Sequence, residues 1–299
     1  MTTEQLRPLE AEMKAIPDIL SFFDLGKMSN ASVLSEGDAN HNYLVSASDR
    51  EEYVVKFAIE ESKESLENDR AIQLQLAKAG ISTPIYLYHN GRFIYDKGRL
   101  AVVSRKIDGI HPKRIDGRTT ESIGKMLAGF HKAVERIPHV RQAWLNPHFV
   151  QKPTEYEDDP FIKKAREFIN DSKDIFDINM PRGIIHGDAH GSNLMVDPRN
   201  PSNVTAIFDF EEAEENLLIV DIARSVLAVC TADNGTRLDS RLIDDFVNGY
   251  SSVRELTDEE KTNLPKAIKY VAGACMLWYV KNGFPDRAQN AISRVESLV

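Results

Sequence analysis

Asp188, Asn193 and Asp209 are the residues of this chain best placed by type and spacing to do chemistry together. They lie in IIHGDAHGSNLMVDPRNPSNVTAIFDFEEA, residues 184–213, between apolar runs that read as buried strands. An alcohol attacks a phosphoryl group usefully only when its proton is drawn away and the leaving charge is neutralised. Asp188 suits the first task, as the group that orients a hydroxyl and accepts its proton. Asn193 and Asp209 offer hard oxygen ligands, which magnesium takes alongside waters and phosphate oxygens. Lys56, in the strand-like YVVKF, supplies a positive charge for the phosphates. Alternation sends it to the side opposite Val55 and Phe57. An acid on the following helix should fix that lysine, and Glu64, Glu67 and Asp69 are all open candidates. The segment SEGDANHN, residues 35–42, has one glycine and two asparagines and suits a phosphate-binding turn. It is neither a Walker A loop nor a GxGxxG.

Two kinds of framework must position these groups. Residues 8–24 read as a helix with Leu9, Met13, Ile16, Ile19, Leu20 and Phe23 on one stripe, interrupted by Pro17. Strands are expected at 31–34, 42–46 and 53–57, with the acidic DRE at 49–51 as a hairpin turn. A helix over 61–79 ends at Gly80, and strands follow at 85–88 and 100–103. From there the pattern turns helical: an amphipathic helix at 118–136, another at 161–170, the two strand-like runs around Asp188, and helices from Ile219 onward. The break falls near 105–110, giving a nucleotide-binding lobe over 1–107 and a helical lobe over 108–299 that carries the substrate site.

Composition fits an ordinary globular enzyme of 299 residues, with 42% hydrophobic and 28% charged residues. The net charge of −9 argues against a general nucleic-acid binder. Neither of the two cysteines, Cys230 and Cys275, belongs to a CxxC pair, which points to a reducing, cytoplasmic setting. The start is too polar for a signal peptide, and the longest apolar run, Tyr270 to Val280, is too short to span a bilayer. No membrane association is expected, and the chain is expected as a monomer or homodimer. The HxDxH of His186, Asp188 and His190 invites a zinc reading. With no third histidine or cysteine nearby, His186 reads instead as a packed, hydrogen-bonded loop histidine.

HGDAHGSN followed by IFDFEEA resembles the signature of the aminoglycoside phosphotransferase and choline kinase superfamily, which has a protein-kinase-like fold. FFDLG at 22–26, ANHNYLV at 39–45, GISTPIYL at 80–87, IGKMLAGFH at 123–131 and the stretch 248–273 resemble its homoserine-kinase-like members. The resemblance covers nearly the whole chain. It implies a two-lobed α+β protein, with a small antiparallel sheet before a mostly helical lobe, and ATP with Mg2+ in the cleft between them. It implies Asp188 as catalytic base, Asn193 and Asp209 as metal ligands, and Lys56 on the α- and β-phosphates. It further implies Asn40 and Asn42 in the nucleotide loop, the backbone of Arg105 and Ile107 against adenine, and Asp221 bracing the catalytic loop. Asp221 as a plain N-cap is the simpler alternative. Two departures stand out. Asp69 occupies the helix position where relatives carry Glu, and Phe-Glu-Glu-Ala follows Asp209 where homoserine kinases have a tyrosine. Glu211 or Glu212 is thereby a candidate for a cationic amine of the substrate.

Three readings follow. The first is an ATP- and Mg2+-dependent kinase of a hydroxyl on a small molecule, homoserine-like or another amino alcohol. The second is an antibiotic kinase, favoured by an acidic pocket for a polycation from Glu211, Glu212 and the 155–159 segment (Glu155, Glu157, Asp158, Asp159), whereas a small, closed pocket with an arginine for a carboxylate would favour homoserine. The third is a non-catalytic nucleotide-binding module, disfavoured because Lys56, Asp188, Asn193 and Asp209 are all present.

Overall fold

Strand alternation and one helical stripe build the first half of the chain. In a computed structural model, which describes residues 3–34, 40–48, 50–59, 61–137 and 144–298, this half contains α1 (Thr3–Phe22), β1 (Met28–Val33), β2 (His41–Ala47), β3 (Glu52–Ala58), α2 (Lys63–Lys78), β4 (Tyr95–Asp96) and β5 (Leu100–Arg105). The strands form one antiparallel sheet in the order β1-β2-β3-β5-β4. Along β2 and β3, buried residues alternate with half-buried ones. Tyr43, Val45, Val55 and Phe57 therefore share a face, where Ile16, Ile19, Leu20 and Phe23 of α1 cover them. Lys56 is on the other face, cross-strand from Asn42 and Val102, and there Val102 packs with Leu66 of α2 and Tyr86. Residues 35–39 of the expected phosphate-binding turn and Asp49 of the expected hairpin turn lie outside the described residues.

Two local expectations are corrected. Pro17 does not interrupt the first helix, which runs unbroken through it. The residue sits on the exposed face, where its ring displaces no core side chain. Residues 85–88 form only a single bridge, Tyr86 to Ser104, and the sheet's last strand is instead the two-residue β4.

The second half contains α3 (Gly117–Val134), α4 (Pro147–Val150), α5 (Pro160–Asn170), β6 (Arg182–Ile185), β7 (Leu194–Asp197), β8 (Asn200–Ile207), β9 (Glu214–Leu217), α6 (Leu218–Val229), β10 (Thr231–Ala232), β11 (Arg237–Leu238), α7 (Ser240–Ser251), α8 (Asp258–Lys281) and α9 (Pro285–Glu296). Asp116 caps α3 by accepting from Thr119 N at 3.0 Å. Helices α3 and α7 cross through a pair of glycines. A Cβ on Gly124 would lie 2.2 Å from Phe246 O, and one on Gly249 would lie 2.0 Å from Glu121 O, so any side chain would force the helices apart. Two antiparallel ribbons, β6 with β9 and β7 with β8, frame the loop 186–193. By contact density the chain divides into two units, Met1–Ala77 with Ser82–Asp108, and Lys78–Ile81 with Gly109–Val299. Among the described residues no helix is long and apolar enough to cross a membrane.

Candidate active site

Loop 186–193 leaves β6 at Ile185 and enters β7 at Leu194. Its course is set by the buried carboxylate of Asp221 on α6. Asp221 Oδ2 accepts from His186 N at 2.7 Å and from His131 Nε2 at 2.9 Å, and Oδ1 accepts from Gly187 N at 3.0 Å. Burial pushes the Asp221 pKa up, but these donors more than offset it and hold the group below its ordinary value. Asp221 does not cap its helix, whose N-cap is Leu217. Gly187 adopts φ 79°, and a Cβ there would meet Glu212 O at 2.4 Å, so only glycine fits the bend.

His186 is fully buried and faces Phe130 and Phe210. Its Nδ1 accepts from Asp188 N at 3.3 Å and its Nε2 donates to Phe208 O at 3.1 Å, a pattern that needs the neutral ring. Burial lowers its pKa accordingly. Among the described residues no group of three or more His, Cys, Asp or Glu could hold a metal.

Asp188 is thereby presented with its side chain 27% exposed. Its two oxygens meet different neighbours. Oδ2 accepts from His190 Nε2 at 3.1 Å and Asn193 Nδ2 at 3.3 Å, whereas Oδ1 accepts from Arg224 Nη2. Burial raises the Asp188 pKa, and Arg224 and His190 overcome that and lower it to about 2. Asn193 Nδ2 also donates to Asp188 O at 3.0 Å. With the amide nitrogen held on Asp188, the hard Oδ1 is the end left to meet a ligand. Asp209, just past β8, has φ 70°, an uncommon conformation for a side-chain-bearing residue. The next residue, Phe210, is buried and stacked on Phe130 at 5.8 Å, which anchors that turn. One amide oxygen and one carboxylate are a donor set that suits magnesium, which keeps waters and takes substrate phosphates for its other positions. Glu211 and Glu212 are half-buried in the turn that follows.

In the first unit, Lys56 Nζ lies 2.6 Å from Glu61 Oε1, with the lysine side chain 13% exposed. Asn40 is tied to the same acid, donating to Glu61 Oε1 at 3.1 Å while accepting from Ile59 N. Asp69 is buried on α2 and accepts from Tyr86 Oη at 3.2 Å. Arg105 and Ile107 line a cavity of about 640 Å³ with Arg70, Thr83, Tyr86 and Tyr88.

Sequence reasoning missed three functional candidates. Glu61 precedes the first turn of α2 and reads there as a solvated charge. His131 lies on the buried side of α3. Arg224 follows Asp221 by three positions on α6, so the two share a helix face, but no local pattern ties Arg224 to Asp188.

The antiparallel five-stranded sheet of one unit and the mostly helical second unit with its two ribbons are those of a protein-kinase-like fold, and the matching relatives make the chain a small-molecule kinase. The family profile described as the phosphotransferase enzyme family matches residues 30–259, and the chain belongs to that family. A homoserine kinase of Bradyrhizobium diazoefficiens is 24% identical over 300 residues, covering 95% of this chain and 90% of the relative. An amicoumacin kinase superposes with TM-score 0.74 at 14% identity, covering 97% and 96% of the two chains. A microcompartment-associated aminopropanol kinase gives TM-score 0.71 at 16% identity, covering 95% of each.

Proposed function

We propose that this enzyme transfers the γ-phosphoryl group of ATP, with magnesium, to the hydroxyl of a small amino alcohol of the homoserine type. The carrying observation is the Asp188–Asn193 pair. A partly exposed carboxylate is locked beside an amide whose nitrogen is spent on it, so the amide oxygen is the end that would meet a metal. Asp188 orients the acceptor hydroxyl and takes its proton as the bond to phosphorus forms. Asn193 and Asp209 would hold the magnesium, which would supply positive charge to the phosphates. Lys56, steadied by Glu61, meets the phosphates, and Asn40, Asn42, Asp69, Arg105 and Ile107 shape the nucleotide's surroundings. The amicoumacin kinase contains AMP-PNP and Ca2+, which supports a nucleotide with a divalent cation here. The homoserine kinases align over most of both chains, which supports the acceptor. We place the enzyme in the cytoplasm, where its two buried thiols stay reduced.

An antibiotic acceptor is the second reading, favoured by the likeness to the amicoumacin kinase. At least three of the six acids expected to draw a polycation have partners of their own. Glu157 binds Arg166 and Thr154 N, Asp159 caps α5, and Asp158 reaches Lys163. A coupled ADP-release assay over homoserine, choline, ethanolamine, sugars and aminoglycosides separates the readings, and the outcome expected is turnover of homoserine or a close analogue. Asp188→Ala should cost at least about 10³-fold in kcat with nucleotide binding kept. Undiminished turnover by that variant would remove the base from Asp188.

A further inference from the structure

Arg224 pairs with Asp188 in the free protein, but the transfer gives it no contact with the substrate. Its side chain is 13% exposed, Nη2 donates to Asp188 Oδ1, and the Nε–H is buried with no partner. A guanidinium has five N–H donors in a planar fork that matches a carboxylate, and a buried donor left unmade is a standing cost that a ligand oxygen would remove. The position relative to Asp188 matters as much. Asn193 and His190 occupy the Oδ2 edge, the edge of the metal amide, whereas Arg224 occupies the Oδ1 edge. It therefore stands at the opposite edge of Asp188 from the amide assigned to the metal.

The surroundings of Arg224 add positive charge. Arg294 of α9 lies within electrostatic reach and donates to two carbonyls, Gly235 O at 2.6 Å and Leu227 O at 2.9 Å. It forms no ion pair with a carboxylate among the described residues. Cys275 and Tyr279 of α8 also neighbour Arg224, and both have raised pKa values, the thiol chiefly through burial and the phenol chiefly through Cys275, so both are neutral. Arg224 and Arg294 thus face the carboxylates of Asp188 and Asp221, and Asp221 is already spent on His131 and the backbone of the loop.

We propose that Arg224 is the receptor for a carboxylate on the acceptor, and that the enzyme selects short hydroxy acids over neutral or cationic alcohols. In the free protein Asp188 stands in as the counter-ion. When the acceptor arrives, its carboxylate takes the open N–H donors of Arg224, while its hydroxyl, a short carbon chain away, reaches Asp188. This rests on the kinase reading above and narrows its substrate class. A polycation brings no anionic group for Arg224 and meets like charge from Arg294.

The test uses acceptor pairs differing only in the carboxylate: homoserine against 3-aminopropanol, and serine against ethanolamine. Each is measured by ADP release and, without turnover, by calorimetric titration onto the protein with AMP-PNP and Mg2+. The wild type should favour the carboxylate member by about 100-fold or more in kcat/KM and in affinity. Arg224→Gln should erase the preference, losing about 100-fold more on the carboxylate member than on its partner, with that difference carried mainly by KM. Arg224→Lys should restore part of it. Equal losses on both members would reduce Arg224 to a residue that positions Asp188, and an indifferent wild type, or one binding no member, would overturn the receptor. Carboxylate-selective binding that depends on Arg224 but gives no ADP would instead overturn the kinase reading and leave the receptor standing.

Discussion

Glu12 in α1 and Asp221 in α6 are both fully buried carboxylates, one in each unit, and each accepts from three donors. Glu12 receives Tyr43 Oη at 2.7 Å, His41 Nδ1 at 2.8 Å and Arg99 Nη1, all side chains from the sheet half of its unit. Asp221 receives two backbone N–H groups of loop 186–193 and one ring nitrogen. The same chemistry thus serves different ends. Side-chain donors let Glu12 fasten a helix onto a sheet, while backbone donors let Asp221 dictate the path of a loop. A buried acid that grips main chain controls where its neighbours point, and the neighbour here is Asp188.

The sharpest way to break this contrast is to remove both acids in turn. Asp221→Ala strands two backbone N–H groups and His131, and should cost about 3–5 kcal/mol of stability. In the protein that still folds, kcat should drop by about 100-fold or more because Asp188 is no longer held in place. Glu12→Gln keeps the size and some of the hydrogen bonds, and should cost about 2–3 kcal/mol with kcat per folded molecule unchanged. Urea unfolding beside active-site-normalised turnover reads both. Full activity in folded Asp221→Ala, or lost turnover in folded Glu12→Gln, would erase the distinction.

A pH series sharpens the comparison further. His186 is neutral in the fold, with its pKa lowered by burial, whereas in the unfolded chain it titrates near 6.5. Below that pH the unfolded state binds the extra proton first, so stability falls as the pH falls, by at most about 1.4 kcal/mol per pH unit. This loss belongs to the loop that Asp221 shapes. Urea midpoints at pH 7.0 and 5.5 should diverge in the wild type and converge in His186→Gln. Identical slopes in the two proteins would show that the ring is not held neutral.

How far the sequence discloses such features depends on how local their partners are. Asp188 and Asn193 lie in one short loop and were legible together, as was Lys56, because β-alternation fixes its face. Protein-kinase-like topology was legible through the motifs that bind it. β4 was not: a two-residue strand has no period to read. Glu12 continues the stripe of Ile16, Ile19 and Phe23 at helical spacing, so its burial was signalled, but its three partners come from β2 and the turn before β5. Arg224 and Asp188 meet across ribbon and helix, and Lys56 meets Glu61 across a bend. Such pairs depend on where the chain turns back, which residue type and spacing do not encode locally.

The smallest effect tests how far the Asp221 arrangement extends. His131 Nε2 bonds Asp221, and its Nδ1 lies 2.7 Å from Tyr250 Oη, which also accepts from Arg254 Nη1 at 3.3 Å. Asp221 can only accept, so Nε2 carries the proton and, in the neutral ring, Tyr250 donates to Nδ1. Tyr250→Phe leaves that nitrogen buried and unmet, which should cost about 1–2 kcal/mol of stability. Turnover should change less than about threefold, because the backbone donors, not the histidine, set the loop. A loss in kcat approaching that of Asp221→Ala would mean that the ring's orientation reaches Asp188, and that the loop is positioned by the whole relay from Arg254 inward.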